Sequence, residues 1–258
     1  MAISLENLNR KAPVKAPRFI VHGPHGVGKT TLLASLPDPV LIQTEDGLGL
    51  IDIPNFPLSN SYDEVMQALM AVYDTDEFRS LLVDSLDHLD YLIHKKVCQD
   101  NGWSSITQPD FGKGVGAIVP LWKDFIEAIN AIRNDKNMII GMTAHSHVRT
   151  FDDPEQSAYD RYEIKLTKTK SVDIGSLVQE SADVVLFANF DTATTELKSD
   201  NKRVIGKGAG TRSLYSEKRP AFDAKNRYKL PAKVGLKEPF DWSVYAAAFP
   251  AGFFEETN

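Results

Sequence analysis

Short runs of apolar residues alternate along most of the chain with stretches in which apolar residues recur at every third or fourth position. The runs lie at residues 19–21, 40–42, 81–83, 138–142 and 184–187. Runs of this kind are typical of strands that are buried on both faces. The periodic stretches lie at residues 65–72, 86–97 and 118–132, and each predicts an amphipathic helix. The alternation predicts an α/β fold, with a mostly parallel sheet and helices on both faces.

Residues that begin or stop helices mark several boundaries. Residues 30–35 continue as a helix after a glycine-rich turn, and the prolines at 37 and 39 stop it. Ser61, with Glu64 three residues later, is a candidate N-cap for the next helix. Residues 101–116 are rich in Gly, Ser and Pro and predict a loop. Residues 1–17 predict a flexible arm, followed by a single domain at 18–258.

Composition narrows the class of protein. The 258 residues are 42% hydrophobic and 25% charged, as in ordinary water-soluble domains. The single Cys98 excludes a disulfide framework within the chain. No stretch approaches the ~20 apolar residues of a membrane span, and the first residues lack the apolar core of a signal peptide. These features predict a cytoplasmic protein that does not act at a membrane.

The net charge of −6 is unevenly distributed. Residues 201–237 carry eleven Lys/Arg against two acidic residues. The acidity of the whole chain argues against non-specific coating of DNA, but a concentrated basic segment attracts phosphates locally. The alternative is a solvated, lysine-rich loop and hairpin.

The clearest motif lies between the first predicted strand and the first helix. Residues 23–30, GPHGVGKT, fit G-x-x-x-x-G-K-[ST], the phosphate-binding P-loop. Glycines in this loop let backbone N–H groups turn toward phosphate oxygens, while Lys29 can reach the β- and γ-phosphates and Thr30 can bind Mg²⁺. The predicted nucleotide-binding residues are Gly23, Pro24, His25, Gly26, Val27, Gly28, Lys29, Thr30 and Thr31. The motif predicts a site for ATP with Mg²⁺.

Polar residues at strand ends complete this predicted site. Asp84 ends the third strand and is the candidate second Mg²⁺ ligand, with a helix cap as the alternative. Glu45, after the second strand, is the candidate general base, with Asp46 as second choice and a turn cap as the alternative. His145, after the fourth strand, is a candidate sensor of the γ-phosphate or a strand-end hydrogen-bonding residue. A metal site on His145 and His147 is not favoured, because the sequence shows no further ligand nearby.

The combination of the P-loop, Glu45, Val-Asp-Ser at 83–85 and a polar residue closing the fourth strand resembles the RecA-type recombinase ATPase core. Lys225-Asn226-Arg227-Tyr228 is similar to a motif of the bacterial RadA branch that reaches the nucleotide of a neighbouring subunit. The arrangement looks most like phage-encoded, Sak-type RecA-like ATPases, which are associated with single-strand annealing and recombination. The resemblance implies a RecA-like P-loop NTPase core, located in the host cytoplasm if the chain is phage-encoded.

The resemblance also implies partners. It implies single-stranded DNA as a ligand, a head-to-tail ring or filament of identical subunits, and a single-strand binding or annealing protein. Lys225 and Arg227 would then stabilise the transition state across the subunit boundary. DNA would be contacted by the basic segment and by a loop after His145 that carries Arg149, Arg161, Lys165, Lys168 and Lys170.

Two other functions remain open from the sequence: a P-loop ATPase that loads or remodels a partner such as a helicase, and a small-molecule kinase. Many ATPases of the AAA+ type carry a catalytic Glu directly after the metal-binding Asp. This chain has Ser85 there, which disfavours that type.

Overall fold

The computed structural model describes residues 15–155, 157–196, 204–246, 248–249 and 253–254. Most of the predicted arm, and residues 201–203 of the basic segment, lie outside the described residues. The end of the predicted arm is packed rather than flexible. Ala16 is buried, and its backbone N–H donates to Asn137 Oδ1 over 3.0 Å.

The described strands form one sheet. They are β1 (Arg18–Gly23), β2 (Pro39–Gln43), β3 (Ser80–Asp84), β4 (Ile139–Phe151), β5 (Tyr159–Ile164), β6 (Val184–Glu196), β7 (Val204–Tyr215), β8 (Lys225–Asn226) and β9 (Lys233–Gly235). The order is β2-β3-β4-β1-β6-β7-β9, with β5 paired to β4 and β8 paired to β6. The five runs predicted from the sequence are the five parallel strands β2, β3, β4, β1 and β6. The predicted mostly parallel α/β fold is therefore confirmed.

The two faces of the sheet are covered differently. The helices are α1 (Lys29–Ala34), α2 (Tyr62–Tyr73), α3 (Leu86–Asn101), α4 (Lys113–Lys136), α5 (Ile174–Ser181) and α6 (Ser243–Ala246). On one face, helices α2, α3, α4 and α5 pack against the sheet in a core that includes the fully buried Trp122. The other joins α1 to aromatic residues after β9, including Trp242. Among the described residues, no helix combines the length and apolar character that a membrane span requires.

Two predicted loops are wrong in part. The last residues of the predicted loop 101–116 are the first turn of α4, which begins at Lys113. The loop predicted after His145 is instead a hairpin, because β4 continues past the parallel sheet and pairs antiparallel with β5. These strand residues were not predicted because polar side chains alternate along them and no continuous apolar run is present.

The sheet places the predicted site residues at one edge. β1 and β4 are adjacent and parallel, so Gly23 lies opposite His145. β2 and β3 are likewise paired, so Gln43 lies opposite Asp84. Because the carboxyl ends of parallel strands meet at the same edge, the P-loop, Glu45, Asp84 and His145 come together there.

Candidate active site

The P-loop leaves β1 in a conformation that requires its glycines. A side chain at Gly23 would place a Cβ only 2.1 Å from the backbone oxygen of Ala188, so the neighbouring strand leaves no room for one. Gly28 has φ +94° and lies beside Arg212, a backbone geometry that L side chains rarely adopt. The loop therefore has the compact shape in which backbone N–H groups can surround an anion.

Lys29 is largely buried beneath this loop. Its ammonium donates hydrogen bonds to the backbone oxygens of Gly23 at 3.2 Å and Pro24 at 3.0 Å. Burial lowers the pKa of Lys29, against the opposite effect of the carboxylates of Asp84, Asp87 and Glu45. The lysine is thus held at the phosphate loop with three acidic groups around it.

Asp84, the last residue of β3, is hydrogen-bonded to the P-loop region and to β4, the strand that lies between β3 and β1. Its carboxylate accepts a hydrogen bond from Thr30 Oγ1 at 2.6 Å and another from Thr143 Oγ1. Thr143 lies on β4, and sequence analysis missed it because the strand is otherwise apolar. A carboxylate flanked by two hydroxyl groups is a set of hard oxygen ligands, which fits Mg²⁺.

Glu45 is fixed against the end of β3. The backbone N–H groups of Thr44 and Glu45 donate to the Asp84 carbonyl over 2.8 and 3.3 Å. The Glu45 carboxylate accepts from Ser85 Oγ at 3.0 Å and lies 3.1 Å from His88 Nδ1. Glu45 lines the cleft beside the P-loop, whereas the exposed Asp46 is not among the lining residues.

His145 is held by Asp87, in the first turn of α3. The His145 backbone N–H and Nδ1 both lie 2.9 Å from oxygens of the Asp87 carboxylate. Burial opposes ionisation of Asp87, but these contacts outweigh it and keep the pKa of Asp87 well below its usual range. The His145 ring stacks on His25 of the P-loop with centroids 3.8 Å apart, and this proximity is the main cause that lowers the pKa of His25.

These side chains surround a cleft of about 320 Å³. Its lining includes Lys29, Thr30, Glu45, Asp84 and His145, each named from the sequence. The lining also includes Gly47, Ile51, Arg212 and Glu238, which sequence analysis did not place at the site. Arg212, from β7, lies 3.3 Å from the Val27 backbone oxygen and pairs with Glu238 at 2.7 Å.

Lys225 and Arg227 lie far from this cleft within the chain. Lys225 Nζ donates to the backbone oxygens of Gln179, Glu180 and Ala182 at the end of α5. Arg227 pairs with Asp183 at 3.0 Å, just before β6 begins. Both are therefore at the amino edge of the parallel sheet, opposite the P-loop. A role for them at a neighbouring subunit's nucleotide stays a prediction.

The five cations predicted to contact DNA differ in availability. Arg161 is buried and pairs with Asp223, and Lys168 pairs with Glu163 at 2.9 Å. Lys165 and Lys170 are exposed, and Arg149 is half-buried. The expectation that all five would contact DNA is thus wrong for Arg161, whose guanidinium is enclosed.

The expectation that His145 has no acidic or further imidazole neighbour is also wrong. The fold brings Glu45, Asp87 and His88 close to His145. Asp87 and His88 lie in the first turn of α3, and the sequence did not indicate that this turn approaches His145. His147 does not belong to this group.

A family model described as an AAA domain matches residues 15–228, which is most of the chain. The search of curated proteins with this chain found no match. The expectation that Ser85 disfavours the AAA type is therefore not borne out.

Proposed function

The chain belongs to the AAA domain family of P-loop ATPases, and on that premise we propose that it hydrolyses Mg-ATP while acting on single-stranded DNA. The observation that carries the proposal is the cleft in which Lys29, Glu45 and Asp84 meet. It joins a phosphate-binding lysine, a carboxylate suited to the metal and a second carboxylate suited to proton transfer.

The chain's own residues have distinct roles in this scheme. The P-loop backbone and Lys29 bind the β- and γ-phosphates, and Thr30 and Asp84 hold the metal. Mg²⁺ bound with the nucleotide supplies positive charge to the phosphate oxygens as the reaction proceeds. Arg212, which lines the cleft and is paired with Glu238, offers a guanidinium group to the phosphates.

Glu45 accepts the proton of the attacking water. Its carboxylate stands apart from the Thr30–Asp84 pair and is oriented by the Ser85 hydroxyl at 3.0 Å. A positioned base of this kind contributes about 10²–10⁴ in rate.

His145 is suited to connect the nucleotide with the DNA. Its ring lines the cleft, and its backbone oxygen accepts from the Lys165 N–H at 2.9 Å. Lys165 follows β5 directly, and Arg149 lies on β4 of the same hairpin. A displacement of this hairpin by a bound strand would thus be transmitted to the residue next to the P-loop.

We extend the proposal to phage-type recombination or annealing, in which subunits assemble head to tail on the strand. The support is the RecA-like motif set, and the position of Lys225 and Arg227 at the sheet edge opposite the P-loop. A head-to-tail contact joins two different surfaces of the subunit, so it could bring this edge of one subunit against the P-loop of the next.

The test measures ATP hydrolysis and strand binding together. Single-stranded DNA should raise turnover more than duplex DNA, and its affinity should fall with salt by about −0.7 in log–log slope for each phosphate neutralised. The Lys165→Ala/Lys170→Ala variant should reduce both slope and stimulation. The matched control, Lys113→Ala/Lys123→Ala, removes two exposed charges from α4 and should change neither. Affinity that does not vary with salt, or equal effects of the two variants, contradicts the DNA role.

A second candidate is remodelling of a partner protein. The side chains of Leu50 and Phe111 are fully exposed, at 103% and 97%, and exposed apolar residues of this size are suited to a protein contact. Stimulation of ATP hydrolysis by a protein partner and not by DNA favours this candidate.

A further inference from the structure

Four side chains beside the nucleotide cleft form a compact group that ATP hydrolysis as proposed does not fully use. We call Glu45, Asp87, His88 and His145 the histidine–carboxylate cluster. Glu45 follows β2, Asp87 and His88 begin α3, and His145 lies on β4. Three separate elements therefore converge on one point at the edge of the sheet.

The four facing atoms all lie within 4.8 Å of one another, and four of their six separations are close to those of a tetrahedral metal site. Glu45 Oε2 lies 3.1 Å from His88 Nδ1 and 3.8 Å from His145 Nδ1. Asp87 Oδ2 lies 2.9 Å from His145 Nδ1 and 3.7 Å from His88 Nδ1. A tetrahedral zinc ion with bonds of about 2.0–2.1 Å separates its ligands by about 3.3 Å, in the middle of this range.

We propose that the histidine–carboxylate cluster binds a divalent transition-metal ion, with Zn²⁺ as the best match. Imidazole and carboxylate are both ligands that zinc accepts, and two carboxylates with two neutral imidazoles balance its double charge. Mg²⁺ is a poor match because it prefers oxygen ligands in an octahedron. The site is distinct from the Thr30–Asp84 pair that suits Mg²⁺, but it shares Glu45 and His145 with the nucleotide cleft. A bound ion would therefore withdraw the Glu45 carboxylate from proton transfer.

The surroundings of the cluster fix its ligands before any ion binds. Asp87 is anchored by the His145 backbone N–H at 2.9 Å, and Ser85 Oγ lies near both Glu45 and His88. His25 stacks on the His145 ring. Partners of this kind orient metal ligands and raise affinity. The His88 side chain is 43% exposed, which leaves a path from solvent.

Binding would exchange hydrogen bonds for metal bonds. In the structure both Nδ1 atoms face carboxylate oxygens, as proton donors would. As a metal ligand, each Nδ1 offers its lone pair and the ring proton lies on Nε2. The geometry needs little rearrangement, because the same four atoms already face one another.

The test is metal binding to chelator-treated protein without nucleotide, which does not depend on the proposed hydrolysis. Zn²⁺ is titrated in competition with a chromophoric chelator, and Co²⁺ is added as a spectroscopic probe. One ion per chain should bind, and Co²⁺ should give the intense visible bands of tetrahedral coordination. His88→Ala should weaken Zn²⁺ binding at least ~100-fold, since loss of even an outer partner costs about 10–100-fold.

Two controls separate this site from its neighbours. His94→Ala removes a histidine nearly two turns further along α3 and outside the cluster, and it should leave Zn²⁺ affinity unchanged. Lys29→Ala should abolish phosphate binding while it retains the ion, so failure of the ATPase proposal leaves the metal proposal standing. Asp87→Asn, checked for folding by circular dichroism, should weaken binding as His88→Ala does. No bound ion in the wild type, or unchanged affinity in His88→Ala, overturns the proposal.

Discussion

Replacement of Asp183 by alanine tests how much the ion pairs of this residue stabilise the amino edge of the sheet. Comparison with Arg227→Ala tests how little of that stability depends on Arg227. In the described part of the chain, its carboxylate accepts five hydrogen bonds, from the backbone and side chain of Arg18 and from Arg133 and Arg227. The distances range from 3.0 to 3.2 Å, and only 6% of the Asp183 side chain is exposed. The carboxylate of Asp183 is therefore the shared ion-pair partner of three guanidinium groups.

The expected loss of stability follows from this geometry. Arg18 and Arg133 are 12% and 11% exposed, so Asp183→Ala leaves two nearly buried cations without their anion. Breaking a buried pair of this kind costs about 3–5 kcal/mol in the free energy of unfolding. Arg227 is 51% exposed, and Arg227→Ala should cost less than about 1 kcal/mol.

Urea denaturation at several pH values measures both changes. Burial alone would raise the pKa of Asp183, but the hydrogen bonds from Arg18 outweigh it and lower that pKa. A folded-state pKa below the unfolded value of about 3.9 means that the stabilisation is complete above that pH and is lost as the pH falls below it. The wild type and Asp183→Ala should therefore converge in stability only in acid.

Equal losses for Asp183→Ala and Arg227→Ala would refute this reasoning, since they would show that the half-exposed arginine carries the network. A small loss for Arg227→Ala has a further use. Any large loss of ATP hydrolysis in that variant then reflects its function and not its folding.

Three other predictions follow from the cleft and the sheet edge. Lys29→Ala should fold normally and lose ATP hydrolysis and tight triphosphate binding, and normal turnover in the folded variant would contradict the nucleotide site. Arg212→Ala should raise the KM for ATP about tenfold, from loss of one charged hydrogen bond of about 1.5 kcal/mol, while Arg219→Ala, an exposed arginine stacked on Tyr215, should not. Mixed Lys29→Ala and Arg227→Ala proteins should regain part of the activity that each lacks, and a mixture that exchanges subunits but stays inactive would contradict a role for Arg227 in trans.

The sequence predicted the parallel sheet because buried strands leave a simple signal. The apolar runs at residues 19–21 and 81–83 contain no polar alternation, and both are central strands. The hairpin of β4 and β5 was not predicted, because its side chains alternate between solvent and protein. The aromatic residues after β9 that pack on the sheet were not predicted either, because their positions have neither helical nor strand periodicity.

The site was predicted in part for a similar reason. Lys29 and Thr30 belong to a motif with fixed spacing, and Asp84 follows a recognisable strand. Asp87 and Arg212 have no such local signal. An aspartate in the first turn of a helix normally predicts a cap, and Arg212 reaches the P-loop only through the pairing of β6 with β7. Contacts between residues distant in sequence require the fold itself.

The most direct test of the ATPase proposal is the Glu45→Gln variant, assayed for both nucleotide binding and turnover. Gln retains the size of the side chain and an oxygen for the Ser85 hydroxyl, but it cannot accept the proton of the attacking water. Affinity for Mg-ATP should stay close to that of the wild type, while turnover falls at least ~10²-fold. Glu217→Gln, which changes an exposed carboxylate outside the cleft lining, should leave both unchanged. Wild-type turnover in Glu45→Gln would contradict the assignment of the base and, with it, the proposed chemistry of the cleft.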